Sequence, residues 1–325
     1  MKNTYYSLYK WGDLSVEADI DELLISILEE KLETTLSMDQ LKTKQNLDNV
    51  SLGDEHLPKL SKHFVKEIIS IVGEENVSKD DYHRALFAQG KSYRDALKLR
   101  SKIIQFPPDL IVAPKDENEV IQIVELCSNN SISIIPVGGR SSVTSGIEFS
   151  KGGIALDCTK HLNKIIEVND INQTVKVQPG IYGPALEEHL NNYKSNNVDT
   201  NNNYGFTCGH FPQSFEFSTV GGWVAARGAG QESTGYGKIE NIVLGLRIVT
   251  PKGLLIIEDY PARSTGPDLS QIFIGSEGYF GVITEITLKI STYRKESTSF
   301  FSLLFKDWHT GVQAMRGIMQ GGYGK

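Results

Sequence analysis

The sequence predicts an α+β fold, and three observations carry that prediction. A β-α-β pattern runs from Leu110 to Val137, and two antiparallel hairpins are spelled out over residues 164–177 and 242–258. A period-two strand follows over 281–290, where Val282, Thr284, Ile286 and Leu288 fall on one face.

Taken in order, residues 14–72 read as mainly helical and polar. Ile20, Leu23, Leu24, Ile27, Leu28 and Leu32 recur every three or four residues and form one apolar face. That face is expected to pack on the main body, with a partner-binding helix as the alternative. Residues 39–54 are polar and read as a loop. Phe106-Pro107-Pro108-Asp109 breaks the pattern, and Leu110–Ala113 is a short β-type run. Glu117–Cys127 reads as a helix with Val120, Ile121, Ile123, Val124 and Leu126 apolar. Ser131–Val137 is the next strand, and it delivers a glycine loop at its C-terminal end, where ligands of α/β units tend to sit. Strands over 164–168 and 174–177 flank a turn at Asn169–Asn172, and Pro184–Leu190 is a short helix. Pro251-Lys252-Gly253 turns the second hairpin. Three units are expected: residues 1–100, mainly helical; residues 101–292, the ligand-binding domain, with subdomains of about 101–190 and 205–292; and residues 293–325, the start of a cap.

The chain has 325 residues, of which 39 % are hydrophobic and 22 % charged, as in ordinary soluble domains. A net charge of −7 argues against a nucleic-acid partner. No apolar run reaches membrane-spanning length, so no transmembrane segment is expected. Residues 1–13 lack the apolar core of an export signal. Cys127, Cys158 and Cys208 are few and widely spaced, without zinc spacing. A cytoplasmic location and no metal are the corresponding expectations.

Chemistry concentrates in three glycine-rich runs. Pro136-Val137-Gly138-Gly139-Arg140-Ser141-Ser142-Val143 follows a strand. The run from Gly209 to Trp223 strings hydroxyls and a glycine pair together with no helical or strand period. Gly275–Ile283 precedes the last strand. Backbone amides in such turns can approach an anion closely, which suits a diphosphate, although a Gly-Gly turn alone is also ordinary punctuation. The G-x-G-x-x-G and G-x-x-x-x-G-K-[ST] signatures are missing, as are G-x-S-x-G and H-E-x-x-H. His210 sits inside a glycine-rich motif, where a structural hydrogen bond is expected. Glu216, Arg227 and Glu277 are charges that could face a ligand or pair with another loop.

In this order the three loops resemble the vanillyl-alcohol-oxidase-type, or PCMH-type, FAD-binding domain. Lys10-Trp11-Gly12-Asp13, Ala88–Tyr93, Gly209–Trp223, Ser264–Asp268 and Gly275–Ile283 are similar to the alkylglycerone-phosphate synthases in particular. The resemblance implies a PCMH-type domain of two α+β subdomains, preceded by a helical segment and followed by a truncated cap. It implies non-covalent FAD, since no His or Cys occupies the first loop. It places Pro136, Val137, Gly138, Gly139, Arg140, Ser141 and Ser142 around the FAD pyrophosphate. Gln213, Ser214, Phe215, Glu216, Phe217, Ser218 and Thr219, with Ala226, Arg227, Gly228 and Ala229, then approach the flavin and ribityl. Glu277, Gly278, Tyr279, Phe280, Gly281, Val282 and Ile283 complete the site on the adenine-diphosphate side.

The activity so implied is exchange of the acyl group of acyl-dihydroxyacetone phosphate for a fatty alcohol through a flavin N5 adduct. Relatives of the same fold oxidise D-2-hydroxy acids such as lactate or glycolate, which is the alternative. Small-molecule or lipid-like substrates are implied either way, with a homodimer or a second chain supplying the cap as partners. Two departures stand out. Arg140 replaces a usual third glycine, and the chain stops at Lys325, before the family's acid/base tyrosine, substrate-phosphate arginine and histidine-rich segment. Catalytic residues are therefore left unknown, a fragment or split enzyme is expected, and a degenerate, non-catalytic domain is the second alternative.

Overall fold

A computed structural model of the chain describes residues 11, 21–37, 50–101, 103–194, 204–293, 296 and 299–322. Lys10, Gly12, Asp13 and Ile20, together with residues 39–49 of the expected polar loop, lie outside the described residues. Two sheets carry the fold. In the first, β1 (Val77–Ser78), β2 (Leu110–Val112), β3 (Ile134–Val137) and β4 (Ile154–Asp157) line up in the order β1-β2-β4-β3, with β4 parallel to both β2 and β3. The β-α-β unit is therefore real in sequence but not adjacent in space. The strand β4, which no periodicity marks, is inserted between its two ends.

Both faces of this sheet are buried, and the alternation of side chains decides which core each residue joins. Leu110, Val112, Ile154 and Leu156 point to a core shared with α2 (Lys62–Val72) and α5 (Glu117–Asn129). Ile111, Val137 and Ala155 point to the opposite core, filled by Ala85, Leu86, Phe87 and Leu99. These last residues come from α3 (Asp81–Leu86), α4 (Tyr93–Arg100) and the turn between them. Residues 62–99 thus complete the first sheet, and the packing is continuous across residue 100.

The helices form where caps and periodicity agree. Ser61 accepts from the Phe64 N–H and starts α2, which buries Phe64, Ile68 and Val72 on successive turns. Asp116 caps α5 in the same way and Val120, Ile123, Val124 and Cys127 face inward. A Ser92–Asp95 capping box opens α4. By contrast, α1 (Glu22–Leu32) buries none of its residues, and Leu23, Leu24, Ile27 and Leu32 are exposed. The expected packing of its apolar face on the body is not present.

The second sheet is wholly antiparallel: β5 (Ile165–Asn169), β6 (Thr174–Val177), β10 (Val282–Lys289), β8 (Val243–Thr250) and β9 (Gly253–Ile257), in that order. The helices α6 (Gly183–Asn191) and α7 (Val220–Ala225) cover it, with Leu186, Leu190, Val220, Trp223 and Val224 in the core. Along β10, Val282, Thr284, Ile286 and Leu288 are all buried, as the period-two pattern requires. A two-stranded pair joins β7 (Gly205–Thr207) to β11 (Ser291–Tyr293). At the C-terminal end α8 (Trp308–Gln320) buries none of its residues, and residues 299–305 before it form no strand.

One polar cluster fastens the two sheets. The Glu117 carboxylate at the start of α5 accepts from Arg247 Nη2 at 2.6 Å and Nε at 3.0 Å on β8, and from Thr284 Oγ1 at 2.7 Å on β10. The bidentate guanidinium is the main reason that the Glu117 carboxyl is held below its usual range. Its folded-state pKa being lowered, this stabilisation is complete above the unfolded-state value and is lost as pH falls through the folded one. Glu117→Gln is expected to cost about 1–2 kcal/mol near neutral pH. Urea denaturation from pH 6 to pH 3 tests it: the gap between wild type and variant should close toward acid.

Candidate functional site

The first glycine loop leaves the C-terminal end of β3 and runs directly beneath the second. A Cβ placed on Gly138 would lie 2.2 Å from Thr219 Oγ1, and one on Gly139 would lie 2.0 Å from the Phe217 carbonyl oxygen. Close approach of a second backbone is therefore what these positions require, since neither has a positive φ. The left-handed residue of the loop is Arg140, at φ 56°. Among the described residues no acceptor is found for the N–H groups of Gly138, Gly139 or Ser141. The Ser142 hydroxyl, however, is used within the loop, accepting from Gly146 N at 3.3 Å and Thr144 N at 3.4 Å. What the loop offers a ligand is chiefly backbone donors.

The second segment is fixed by its own hydroxyls. Ser218 Oγ donates to the Ser214 carbonyl at 2.8 Å and accepts from Trp223 Nε1 at 2.7 Å. Thr219 caps α7 through Gly222 N. Trp223 is thereby held between the rings of His210 and Phe215. His210 is fully buried, and neither ring nitrogen has a hydrogen-bond partner among the described residues. The structural hydrogen bond expected of it is not formed. Burial pushes the imidazole down to about 4, against the opposing pull of Glu240, so the ring is neutral at ordinary pH.

The third loop closes the arrangement. Gly278 packs so closely that a Cβ there would lie 2.7 Å from Pro136 Cγ, and a Cβ on Gly146 would lie 2.5 Å from Glu277 Oε2. Arg227 ties the second segment to the third, its Nη2 donating to the Ile274 carbonyl at 2.8 Å and its Nη1 to Gln271 Oε1 at 3.0 Å. Glu277 N donates to the Ala225 carbonyl at 2.9 Å. Arg227 and Glu277 both take the left-handed conformation, with φ of 51° and 50°.

The three loops enclose one cleft of about 320 Å³. Pro136, Val137, Gly138, Gly139, Arg140, Ser141 and Ser142 all line it. Ser214, Ser218 and Thr219 join them from the second segment, with Ala226 and Gly228, and Glu277, Gly278, Gly281 and Ile283 come from the third. Gln213, Phe215, Glu216, Phe217, Arg227, Ala229, Tyr279, Phe280 and Val282 do not line it. Phe215 and Arg227 stand behind the wall in the contacts described above. Phe217 meets Trp11 edge-on at 5.5 Å between ring centroids, and Tyr279 is largely exposed.

Several lining residues fall outside the residue-by-residue assignment made from the sequence, some of them within the glycine-rich runs themselves. Val143, Thr144, Gly146 and Ile147 extend the first loop, and Pro212, Gly221, Gly222, Trp223 and Ala225 lie within or beside the second. Glycine content extended by a few residues would have found these. Cys158 after β4 and Pro179 after β6 belong to no motif, and only the topology brings them in.

The walls suit a long, flat, anionic ligand such as FAD. Gly138, Gly139 and Ser141, whose N–H groups find no acceptor among the described residues, line the cleft together with Trp223 and small residues. The Cys158 thiol is pushed up to about 12 by burial, then by Asp157, so it stays protonated. Among the described residues no group of His, Cys, Asp or Glu could hold a metal, and no helix is long and apolar enough to cross a membrane.

Known proteins resemble this chain over most of its length. Residues 108–257 match a family model described as an FAD binding domain. The alkyldihydroxyacetonephosphate synthase of Caenorhabditis elegans is 36 % identical over 260 residues, 78 % of this chain and 41 % of that protein. A solved alkyldihydroxyacetonephosphate synthase structure superposes with a TM-score of 0.68 at 32 % identity, covering 76 % of this chain and 43 % of that one. The glycolate oxidase subunit GlcD of Bacillus subtilis is 27 % identical over 80 % of this chain and 51 % of that protein. This chain thus spans about two fifths of the length of the synthases it matches. Over the part it shares with these synthases, the chain is an alkyldihydroxyacetonephosphate-synthase-like FAD-binding protein.

Proposed function

We propose that the cleft seats one non-covalent FAD and that the chain serves an alkylglycerone-phosphate-synthase-type reaction, exchange of an acyl group for a fatty alcohol on a dihydroxyacetone-phosphate substrate. The observation that carries this reading is the convergence of three glycine loops on one cleft, two of them crossing backbone to backbone. Gly138, Gly139 and Ser141 direct N–H groups to the diphosphate, where each bond to an ionised oxygen contributes about 1.5–3 kcal/mol. Ser214, Ser218, Thr219 and Trp223 form the wall for the ribityl and ring. Glu277 and Gly278 close the adenine-diphosphate side. When bound, the flavin supplies the bond-making chemistry, while the protein orients it and excludes water.

Non-covalent binding is supported by the one cysteine on the cleft wall, whose buried thiol is held protonated. A degenerate domain is disfavoured by the backbone at Arg140. It keeps the left-handed geometry that a glycine would adopt, so the substitution leaves the turn intact. The second reading, a D-2-hydroxy-acid oxidase or dehydrogenase, draws on the similarity to a glycolate oxidase subunit. The synthase reading is favoured by higher identity, 36 % against 27 %.

The 325-residue chain should purify yellow with one FAD, and acid precipitation should release the flavin into the supernatant. A pellet that retains all the colour would refute non-covalent binding, and a colourless protein that ignores added FAD would refute the site. Anaerobic D-lactate or glycolate should leave the flavin oxidised, whereas rapid bleaching would favour the oxidase.

A point substitution tests the seat itself. Gly139→Ala puts a methyl into the Phe217 carbonyl. It should weaken FAD binding at least ~10-fold, by roughly the 1–3 kcal/mol that overpacking costs. Fluorescence titration of deflavinated protein measures this, and unchanged affinity would show that the two loops do not need to cross so closely.

A further inference from the structure

Arg140 is the one residue of the first loop in the left-handed region, a conformation that costs an L-residue free energy unless its surroundings hold it there. Its guanidinium reaches the chain between α3 and α4. The Arg140 Cζ lies 5.2 Å from the centroid of the Phe87 ring, and Nη1 makes a long hydrogen bond of 3.5 Å to the Leu86 carbonyl. Both side chains are almost wholly buried, with Arg140 4 % and Phe87 2 % exposed, and a desolvated cation over an aromatic face is held far more firmly than an exposed one.

The same strip of chain touches the loop twice more. Lys91 N donates to the Ser142 carbonyl at 2.7 Å, and a Cβ on Gly90 would lie 2.0 Å from that carbonyl oxygen. Burial lowers Lys91 to about 8, and the nearby Arg140 charge adds to this, which places Arg140 electrostatically beside the strip as well. Residues 86–91 therefore run alongside 140–142 as a splint. Phe87 itself is not part of the cleft wall.

We propose that Phe87 is a positioning residue for the cofactor loop, its ring anchoring Arg140 and so holding the 138–142 turn in the shape that receives the diphosphate. This rests on the FAD reading above. It makes the helical segment before residue 100 a working part of the cofactor site.

A double-mutant cycle on the deflavinated full chain, read by FAD fluorescence quenching, tests the coupling. Phe87→Leu should weaken FAD binding about tenfold, the loss of one desolvated cation–π contact. In an Arg140→Gly background the same change should move affinity less than about twofold, because the anchored partner is gone. Phe87→Tyr, which keeps the ring, should stay near wild type. Equal losses from Phe87→Leu in both backgrounds, or no loss in wild type, would overturn the proposal. Wild-type protein that takes up no FAD would instead sink the FAD reading. Should Phe87→Leu fail to fold, hydrogen exchange of apo Arg140→Gly decides. Amides 139–142 should exchange markedly faster than in wild type while the second sheet is unchanged, and unaltered exchange there would overturn the proposal.

Discussion

The site depends on one steric constraint: two polar loops cross with no side chain between them. Gly139 meets the Phe217 carbonyl and Gly138 meets Thr219 at distances that leave no room for a methyl group. Because neither residue has a side chain, the second segment lies directly against the first loop and both line the same cleft. Within the second segment the Trp223 indole N–H donates to Ser218 Oγ and braces the run that meets the first loop. A loop with ordinary side chains at 138 and 139 would push the segment away and open the cleft to water.

A second device repeats in all three loops. Arg140, Arg227 and Glu277 each take the left-handed conformation without being glycine, and each sends its side chain to another part of the fold. Arg140 reaches Phe87 and Leu86, Arg227 reaches Gln271 and Ile274, and the Glu277 carboxylate lies against Gly146. The unfavourable backbone and the long polar side chain belong together: the contact at the far end offsets the local cost. Charges that look, in the sequence, like ligand contacts act here largely as ties between loops. That explains why Arg227 stands outside the cleft wall although it sits in the right motif.

Much of the architecture was legible because periodicity and turn chemistry agreed. The hairpins at Asn169–Asn172 and Pro251–Gly253, the helix after Asp116 and the alternating strand β10 all announce themselves locally. What was illegible depends on tertiary context. The strand β4, Ile154-Ala155-Leu156-Asp157, is buried on both faces and so shows no alternation, yet it is the centre of its sheet. Strands of two or three residues, such as β1 and β7, are too short for any period. The apolar stripe of α1 was read correctly as a stripe, but a stripe does not say what covers it. Cys158 and Pro179 entered the cleft through topology alone. The glycine runs named the walls of the site, and the fold decided which of their residues face inward.

The chemistry of the cleft wall divides labour. Among the described residues that line the cleft, Arg140 and Glu277 are the charged ones and none is His or Tyr. Of these, Arg140 is committed to Phe87 and Leu86, and Cys158 is held as a thiol. His210, buried behind Trp223 and neutral, is off the wall. Such a surface can bind and orient a cofactor through backbone dipoles, but it presents no side chain poised to move a proton. Backbone turns braced by ties between loops, rather than reactive side chains, are what these three loops bring to the cleft.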